Sequence, residues 1–564
     1  MATLHVLFFS LFRERRVPHA ALLYLCLTIF LSFLMHSILQ WNCRGFRTSA
    51  SDLQTVIGRH RPIAIGLQET KLAPDWHCSI KGYSVFRQDV VTDSVAHGGV
   101  LLGVHHSVPT KRVPLSTSLQ AVAVRIDLNR RPFTLCSIYL PPDGTLPVLE
   151  LRRLTAQLPG PLLLLGDFNA HHTVWGCRSS NARGRALESF INEESLCLLN
   201  TGTRTHVTLP LGQTSVLDLS LTSPQLAHHF TWTVADDPLG SDHFPVWLRF
   251  QGEPAIGPRP RRWNLRTADW VAFRAQLDEV CCSESICIPG CIESFTSAII
   301  SAAEGSIPRT SGTPRRIPVP WWTDACRDAI RARRRSFRKF DRHSSTENLI
   351  AFRKARAFAK RTIQEAKRVS WREYVSRLNR FTPMTQVWSQ IKRISGQFSS
   401  TPLPVLHVDG HDILSPSDVA NEIGRALCNR FSSTNGDAEF LRHKHRCEAN
   451  QIDFSTLDQL SYNQPFTLTE LKSAVDKLRN VAEGPDGVHN CMIKELPTSG
   501  LQVLLSIFNK LWETGEFPSA WREALVVPVL KPGKSGEEPL HYRPISLTSS
   551  LCKVMERLVN VRFC

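Results

Sequence analysis

Eight polar residues in the first half of the chain stand where apolar runs stop. They are Asn42 in QWNCRG, Glu69 in LQET, Tyr139 in SIYLPP, Asp167 and Asn169 in GDFN, Asp218 inside VLDLSL, and Asp242 with His243 in SDHFPV. Together they offer carboxylates, amides, a phenol and an imidazole. A hard cation such as Mg²⁺ takes oxygen ligands and keeps waters, so one or two carboxylates suffice to hold it. It would stabilise charge on a phosphate and on a leaving oxygen. A carboxylate or imidazole within hydrogen-bond reach can position and deprotonate a water. Amides and a phenol can bind phosphate oxygens as charge develops. The set therefore suits hydrolysis of a phosphodiester. Singly, each member has a plainer reading: a Glu after a strand is a cap, and Gly, Asp and Asn are ordinary turn residues. Asp218 resists that reading, because a carboxylate inside an apolar strand is costly to bury without a partner. A buried Asp beside His243 would fix its tautomer and favour the imidazolium.

The elements that must carry these residues are strands. SILQWN, IAIGLQ, YSVFRQ, GVLLGV, AVAVRIDL, FTLCSIYL, LLLLGD, VLDLSLT and PVWLRF alternate with turn signals between Ile38 and Phe250. Short helical patterns such as ASDLQTVIGRH and ARGRALESFINEE lie between some of them. Many strands with few helices predict sheet packed on sheet, with helices outside.

At 564 residues the chain exceeds one core, and its formal charge of +17 points to a polyanionic partner or to a solubilising surface. The Pro/Gly/Arg stretch Gln251 to Arg262 marks a boundary. Beyond it, Arg315 to Arg380 holds 20 Lys/Arg against 6 Asp/Glu. Phe352, Ala355, Ala359, Ile363 and Ala366 recur there at helical spacing, which predicts basic helices that are either solvated or set against a nucleic-acid backbone. The expected divisions are 1–37 as an apolar extension, 38–250 as the sheet domain, 251–465 as linker and basic helices, and 466–564 as a third segment. The 16 cysteines show no small-scaffold spacing and read as reduced thiols. Cys281, Cys282, Cys287 and Cys291 lack the paired C-x₂-C form, and their spacing leaves zinc binding open. RERR before the apolar run Ala20 to Met35 reads as a signal or anchor, or as a non-native start. The run is short for a span of about 20 residues.

The ordered set WNCRG, QET, IYLPP, GDFNAHH, LDLSL and SDHFPV resembles the exonuclease–endonuclease–phosphatase superfamily. Within it, the chain looks like the apurinic-type endonuclease domains of non-LTR retrotransposons of the jockey and I-factor kind. The resemblance implies a four-layer α/β sandwich over about residues 38–250, with the site at one end of the two sheets. It implies Glu69 as the main metal-binding residue, with Asn42 and Asp242 near metal and phosphate. Asp167 would orient or deprotonate water, Asn169 and Tyr139 would contact phosphate, and Asp218 and His243 would form an Asp–His pair. Arg44 departs from the pattern: repair members often carry an acidic residue there, so a second metal ligand at that position is in doubt. The implied cofactor is Mg²⁺, with Mn²⁺ as its substitute.

The third segment resembles the fingers region of a retroelement reverse transcriptase, with Lys531 and Arg543 like basic residues near an incoming nucleotide. No paired aspartates follow in the sequence, so polymerase activity is not expected from these residues alone. The leading expectation is a DNA endonuclease that leaves a 3′-hydroxyl primer on target DNA, with element RNA as a second partner in a full-length protein. The rival expectations are a small-molecule or lipid phosphodiesterase and an inactive nucleic-acid-binding remnant. The compartment expected is nucleus or cytoplasm, with membrane association only through residues 20–35.

Overall fold

The computed structural model describes residues 36–128, 131–208, 212–250, 261–282, 292–310, 321–380, 382–395, 402–432, 436–449 and 464–563. It divides into two compact units, one comprising Met1–Gly257, Arg315–Val405 and Asp412–Pro416, the other Pro258–Pro314, Leu406–His411 and Ser417–Cys564.

The first unit is built on two six-stranded sheets. One runs in the order β13 (Phe230–Val234), β14 (Val246–Phe250), β1 (His36–Asn42), β2 (Ala64–Gln68), β4 (Val95–His105) and β3 (Tyr83–Thr92). The other runs β5 (Thr110–Val113), β6 (Gln120–Leu128), β7 (Arg131–Tyr139), β8 (Leu162–Asp167), β12 (Asp218–Thr222) and β9 (Cys197–Leu198). Strands β10 (His206–Thr208) and β11 (Gln213–Ser215) pair separately. Each sheet has one parallel pair at its centre, β1 with β2 and β7 with β8, flanked by antiparallel neighbours. Central strands buried on both faces read as continuous apolar runs, which is why LLLLGD carries no polar alternation.

Ile38, Val100, Leu102, Val124, Leu163 and Leu165 belong to the core between the sheets. Outside, helix α1 (Phe46–His60) covers the first sheet through Phe46, Leu53 and Val56. Helices α2 (Val148–Ala156) and α3 (Ala182–Glu193) cover the second through Leu151, Leu154, Leu187 and Phe190. The result is the expected four-layer α/β sandwich.

Two further helices, α4 (Asp324–Arg342) and α5 (Thr346–Ser376), belong to the same unit. Thr323 caps α4 by accepting from the Cys326 N–H, and Ser345 caps α5 by accepting from the Asn348 N–H. Phe337, Phe340, Leu349 and Phe352 on these helices bury themselves with Val207 and Phe244 of the sandwich. Part of the basic region is therefore neither solvated nor available to nucleic acid. Arg333 is 4% exposed, its guanidinium donating to Asp52 at 2.8 Å and Asp237 at 3.3 Å.

In the second unit, helices Trp270–Cys282, Ile292–Ser306, Leu468–Asp476, Thr498–Thr514 and Ser550–Phe563 share one core. A Thr467–Glu470 capping box opens the third of them. Strands Leu525–Leu530 and Tyr542–Leu547 pair antiparallel and are largely exposed.

The localisation expectation is corrected. Among the described residues no helix is long and apolar enough to cross a membrane. The run 20–35 lies outside the described residues, as do Cys287 and Cys291 of the cysteine group.

Candidate active site

Strand register gathers the predicted residues at one end of the sandwich. Asn42 ends β1 opposite Gln68, and Glu69 follows β2. Tyr139 and Asp167 end β7 and β8 side by side, and Asp218 opens β12 opposite Asp167. Asp242 and His243 precede β14, and the Asp242 carbonyl accepts from the Val207 N–H at 2.9 Å.

The Asn42 amide bridges the two sheets, donating to Glu69 at 3.0 Å and to Asp167 at 2.8 Å. Its carbonyl oxygen accepts from the Arg44 N–H at 3.1 Å, so as placed Asn42 orients carboxylates. Lys71 pairs with the second Glu69 oxygen at 2.8 Å, and Arg44 pairs with Asp242. Asp218 accepts from His243 Nδ1 at 2.8 Å, and His243 Nε2 lies 3.8 Å from Asp167. This is the partner that a buried Asp218 requires. Asn169 donates through its N–H to Asp167 and through its side chain to the Leu140 carbonyl. Glu69 and Asn169 both adopt left-handed backbone, φ 48° and 47°. Such strain costs on the order of 1 kcal/mol or more per residue and clusters where side chains must be aimed.

Burial by itself would lower the His243 pKa, but the Asp218 and Asp167 carboxylates outweigh it and hold the imidazole protonated. Burial is the main reason the Asp167 carboxyl is raised, with His243 opposing. Burial also pushes up the Tyr139 phenol, which hydrogen-bonds Glu69. Glu69 is lowered: burial would raise it, and hydrogen bonds from Lys71 and Asn42 prevail.

Asp167, Asp218 and His243 lie close enough to be taken for a metal cage. Held protonated by Asp218 and Asp167, the His243 ring has no lone pair for a metal, so we read this group as a hydrogen-bonded set. A hard cation fits better at Glu69. The donors around it are oxygens, the ligands a hard cation takes, and a cation there would displace Lys71 from Glu69 and Arg44 from Asp242.

Sequence reasoning missed the supports. Gln40 donates across the sheets to the carbonyls of Gly166 (3.0 Å) and Leu219 (3.2 Å) and accepts from Ser220. Thr205 accepts from the N–H groups of Leu217 and Asp218. Ser241 donates to the Asn42 carbonyl at 2.9 Å and accepts from the His243 N–H. Arg183 fastens the GDFN turn by donating to the carbonyls of Phe168 and Asn169, both at 3.1 Å. Gly166 admits no side chain, since a Cβ there would stand 2.4 Å from Ile138. Apart from the glycine, each is an ordinary polar residue, and Gln40 finds its partners 126 and 179 residues away, so no local signal marks it. Lys531 and Arg543 lie on the exposed hairpin of the second unit, where Lys531 donates to the Leu540 carbonyl at 2.7 Å and Arg543 registers with Val529.

Two sheets with a parallel pair at each centre, outer helices, and carboxylates beside an Asp–His pair at one end are the four-layer arrangement that the sequence resemblance implied. Residues 133–247 match the family model described as endonuclease-reverse transcriptase. The chain is 24% identical over 532 residues to the RNA-directed DNA polymerase from mobile element jockey of Drosophila melanogaster, covering 92% of this chain and 57% of that protein. It is 24% identical over 541 residues to the probable RNA-directed DNA polymerase from transposon X-element of the same fly, covering 93% and 58%. Its homologues are thus the polymerases of non-LTR retrotransposons, and the chain spans little more than half their length. Among solved structures, the endonuclease domain of TRAS1, a telomere-specific non-LTR retrotransposon, aligns at TM-score 0.34 and 23% identity, over 39% of this chain and 99% of that one.

Proposed function

We propose that the first unit is a Mg²⁺-dependent DNA endonuclease that nicks one strand and leaves a 3′-hydroxyl. The observation that carries this reading is the convergence of Asn42, Glu69, Tyr139, Asp167, Asn169, Asp218, Asp242 and His243 at one end of both sheets. Glu69 would hold the cation, with Asn42 and Asp242 beside it, and the bound cation would supply charge stabilisation at the phosphate.

The chain's own residues do the rest. Asp167, held by Asn42 and the Asn169 N–H, accepts a proton from water, and its raised pKa suits a base working near neutrality. His243, kept cationic by Asp218, donates to a phosphate oxygen as charge develops. Tyr139 and Asn169 add donors on the same side. Attack at phosphorus expels the 3′-oxygen. In the wider protein that end would prime copying of element RNA, the role proposed for the segment bearing Lys531 and Arg543.

The full chain incubated with supercoiled plasmid should yield open circles with Mg²⁺ and none with EDTA. Because the unit includes residues beyond 320, the full chain is the proper material. Intact supercoils after incubation with folded, Mg²⁺-supplied protein would remove the endonuclease reading, and 3′-phosphate ends would refute the proposed direction of cleavage.

A further inference from the structure

The packing stripe of α5 carries two charged residues, Arg356 and Lys367, and Lys367 donates to Ser51 at 3.2 Å. Leu349, Phe352, Ala359 and Ile363 are the buried positions of the stripe, spaced three and four apart, and Arg356 falls between Phe352 and Ala359 in the same series. That spacing aims Arg356 at the sandwich. It does arrive there: a Cβ built on Gly240 would stand 3.6 Å from Arg356 Nε and 3.7 Å from an Asp52 oxygen. Gly240 lies two residues before Asp242, on the loop that delivers His243. Unlike Arg333, Arg334 and Arg338, which are tied to Asp52, Asp237 and Asp236, Arg356 forms no ion pair among the described residues. The residue remains exposed. Its partial burial and the neighbouring Arg333 pull its pKa down, with Arg44 adding to the repulsion and Asp242 and Asp52 pulling back. Arg44, whose side chain is 56% exposed, reaches the same Asp242. Two guanidiniums thus stand near the Asp242 carboxylate at the edge of the site, Arg44 paired with it and Arg356 with no ion pair of its own, while nearby Asp52 is already taken by Arg333.

We propose that Arg356 and Arg44 form a seat for a backbone phosphate of duplex DNA flanking the scissile one, so that α5 completes the substrate-binding face of the nuclease unit. A planar guanidinium suits this task, since it offers paired donors to phosphate oxygens. The seam of Arg333 with Asp52 and Asp237, together with Phe337, Phe340 and Phe352 on Phe244, fixes α5 firmly enough to hold that seat in place. This deepens the endonuclease reading and rests on it for the identity of the polyanion.

The test is binding of a labelled DNA duplex to the full chain in EDTA, followed by anisotropy across a salt series. Arg356→Gln should weaken binding about tenfold at low salt and flatten the log K against log salt slope by about 0.9, the contribution of one phosphate. Arg356→Lys should keep the slope. Lys354→Gln, on the opposite face of α5, should change neither quantity. An Arg356→Gln protein with wild-type slope and affinity would overturn the proposal. So would a Lys variant as weak as the Gln variant, or an equal loss from Lys354→Gln. Because binding is read without cleavage, a wild type that never nicks plasmid but shows the Arg356 effect would sink the endonuclease reading and leave the phosphate seat standing.

Discussion

The end of the sandwich and the hairpin of the second unit both present charged residues from strands, and they do so in opposite ways. Asp167 and Asp218 are each 1% exposed, with strands on either side and partners already arranged. Lys531 follows one strand and Arg543 lies on its partner, and the apolar residues of the first face outward, Leu525 at 56% and Val526 at 49% exposed. A carboxylate fixed over a packed core has its orientation set before substrate arrives. A lysine beside a largely exposed two-stranded hairpin has less packing to hold it, and two strands alone are marginally stable. The first region is preorganised by burial; the second displays its charges without a comparable frame.

If that contrast is right, the largest losses come from the framed groups. Asp167→Asn or His243→Ala should lower kcat of plasmid nicking by up to about 10⁴-fold with little change in KM, since both act as charge develops. Asp218→Asn acts by positioning His243, so the double variant with His243→Ala should be hardly worse than His243→Ala alone. Losses that multiply would break that pairing. Next comes the seam that holds α4 and α5: Arg333→Ala strands Asp52, while Asp237 keeps Arg334 at 2.6 Å, and should cost about 3 kcal/mol in denaturant unfolding of the first unit. A loss under about 1 kcal/mol would mean that water already reaches the pair. Smaller still, Glu69→Gln should raise the Mg²⁺ concentration needed for half-maximal nicking by about tenfold or more, as Asn42 and Asp242 remain beside the site. An unchanged Mg²⁺ requirement would move the cation away from Glu69.

What could be read from sequence divides along the same line. The strands, and the gathering of the eight polar residues at their ends, were legible because strand ends announce themselves locally: apolar runs stop, and turn residues follow. Asp218 was legible as paired because its neighbours in sequence are leucines. The basic helices were legible as helices, but helical period says which face is buried and not what buries it. Arg333 meets Asp52 across 281 residues and Asp237 across 96, and nothing near Arg333 encodes either partner. A surplus of positive charge suggested solvent or nucleic acid, whereas this arginine is an internal bolt. Gln40 and Arg183 went unseen for the same reason, since their hydrogen bonds run to backbone carbonyls that sequence does not distinguish.

The smallest expected effect comes from the exposed hairpin, and it tests the contrast from the other side. Leu525 loses little water contact on folding, so replacing it removes little transfer free energy, at about 25 cal/mol per Å² of apolar surface actually buried. Leu525→Lys should therefore change the stability of the second unit by no more than about 0.5 kcal/mol, the range of ordinary surface substitutions. It should also raise solubility, because exposed apolar strands invite association and a strand lysine discourages it. The checks are denaturant unfolding and light scattering on the same full-chain protein. A destabilisation of 2 kcal/mol or more would mean that Leu525 is covered in solution. The hairpin would then have a frame of its own, and Lys531 and Arg543 would have to be regarded as preorganised after all.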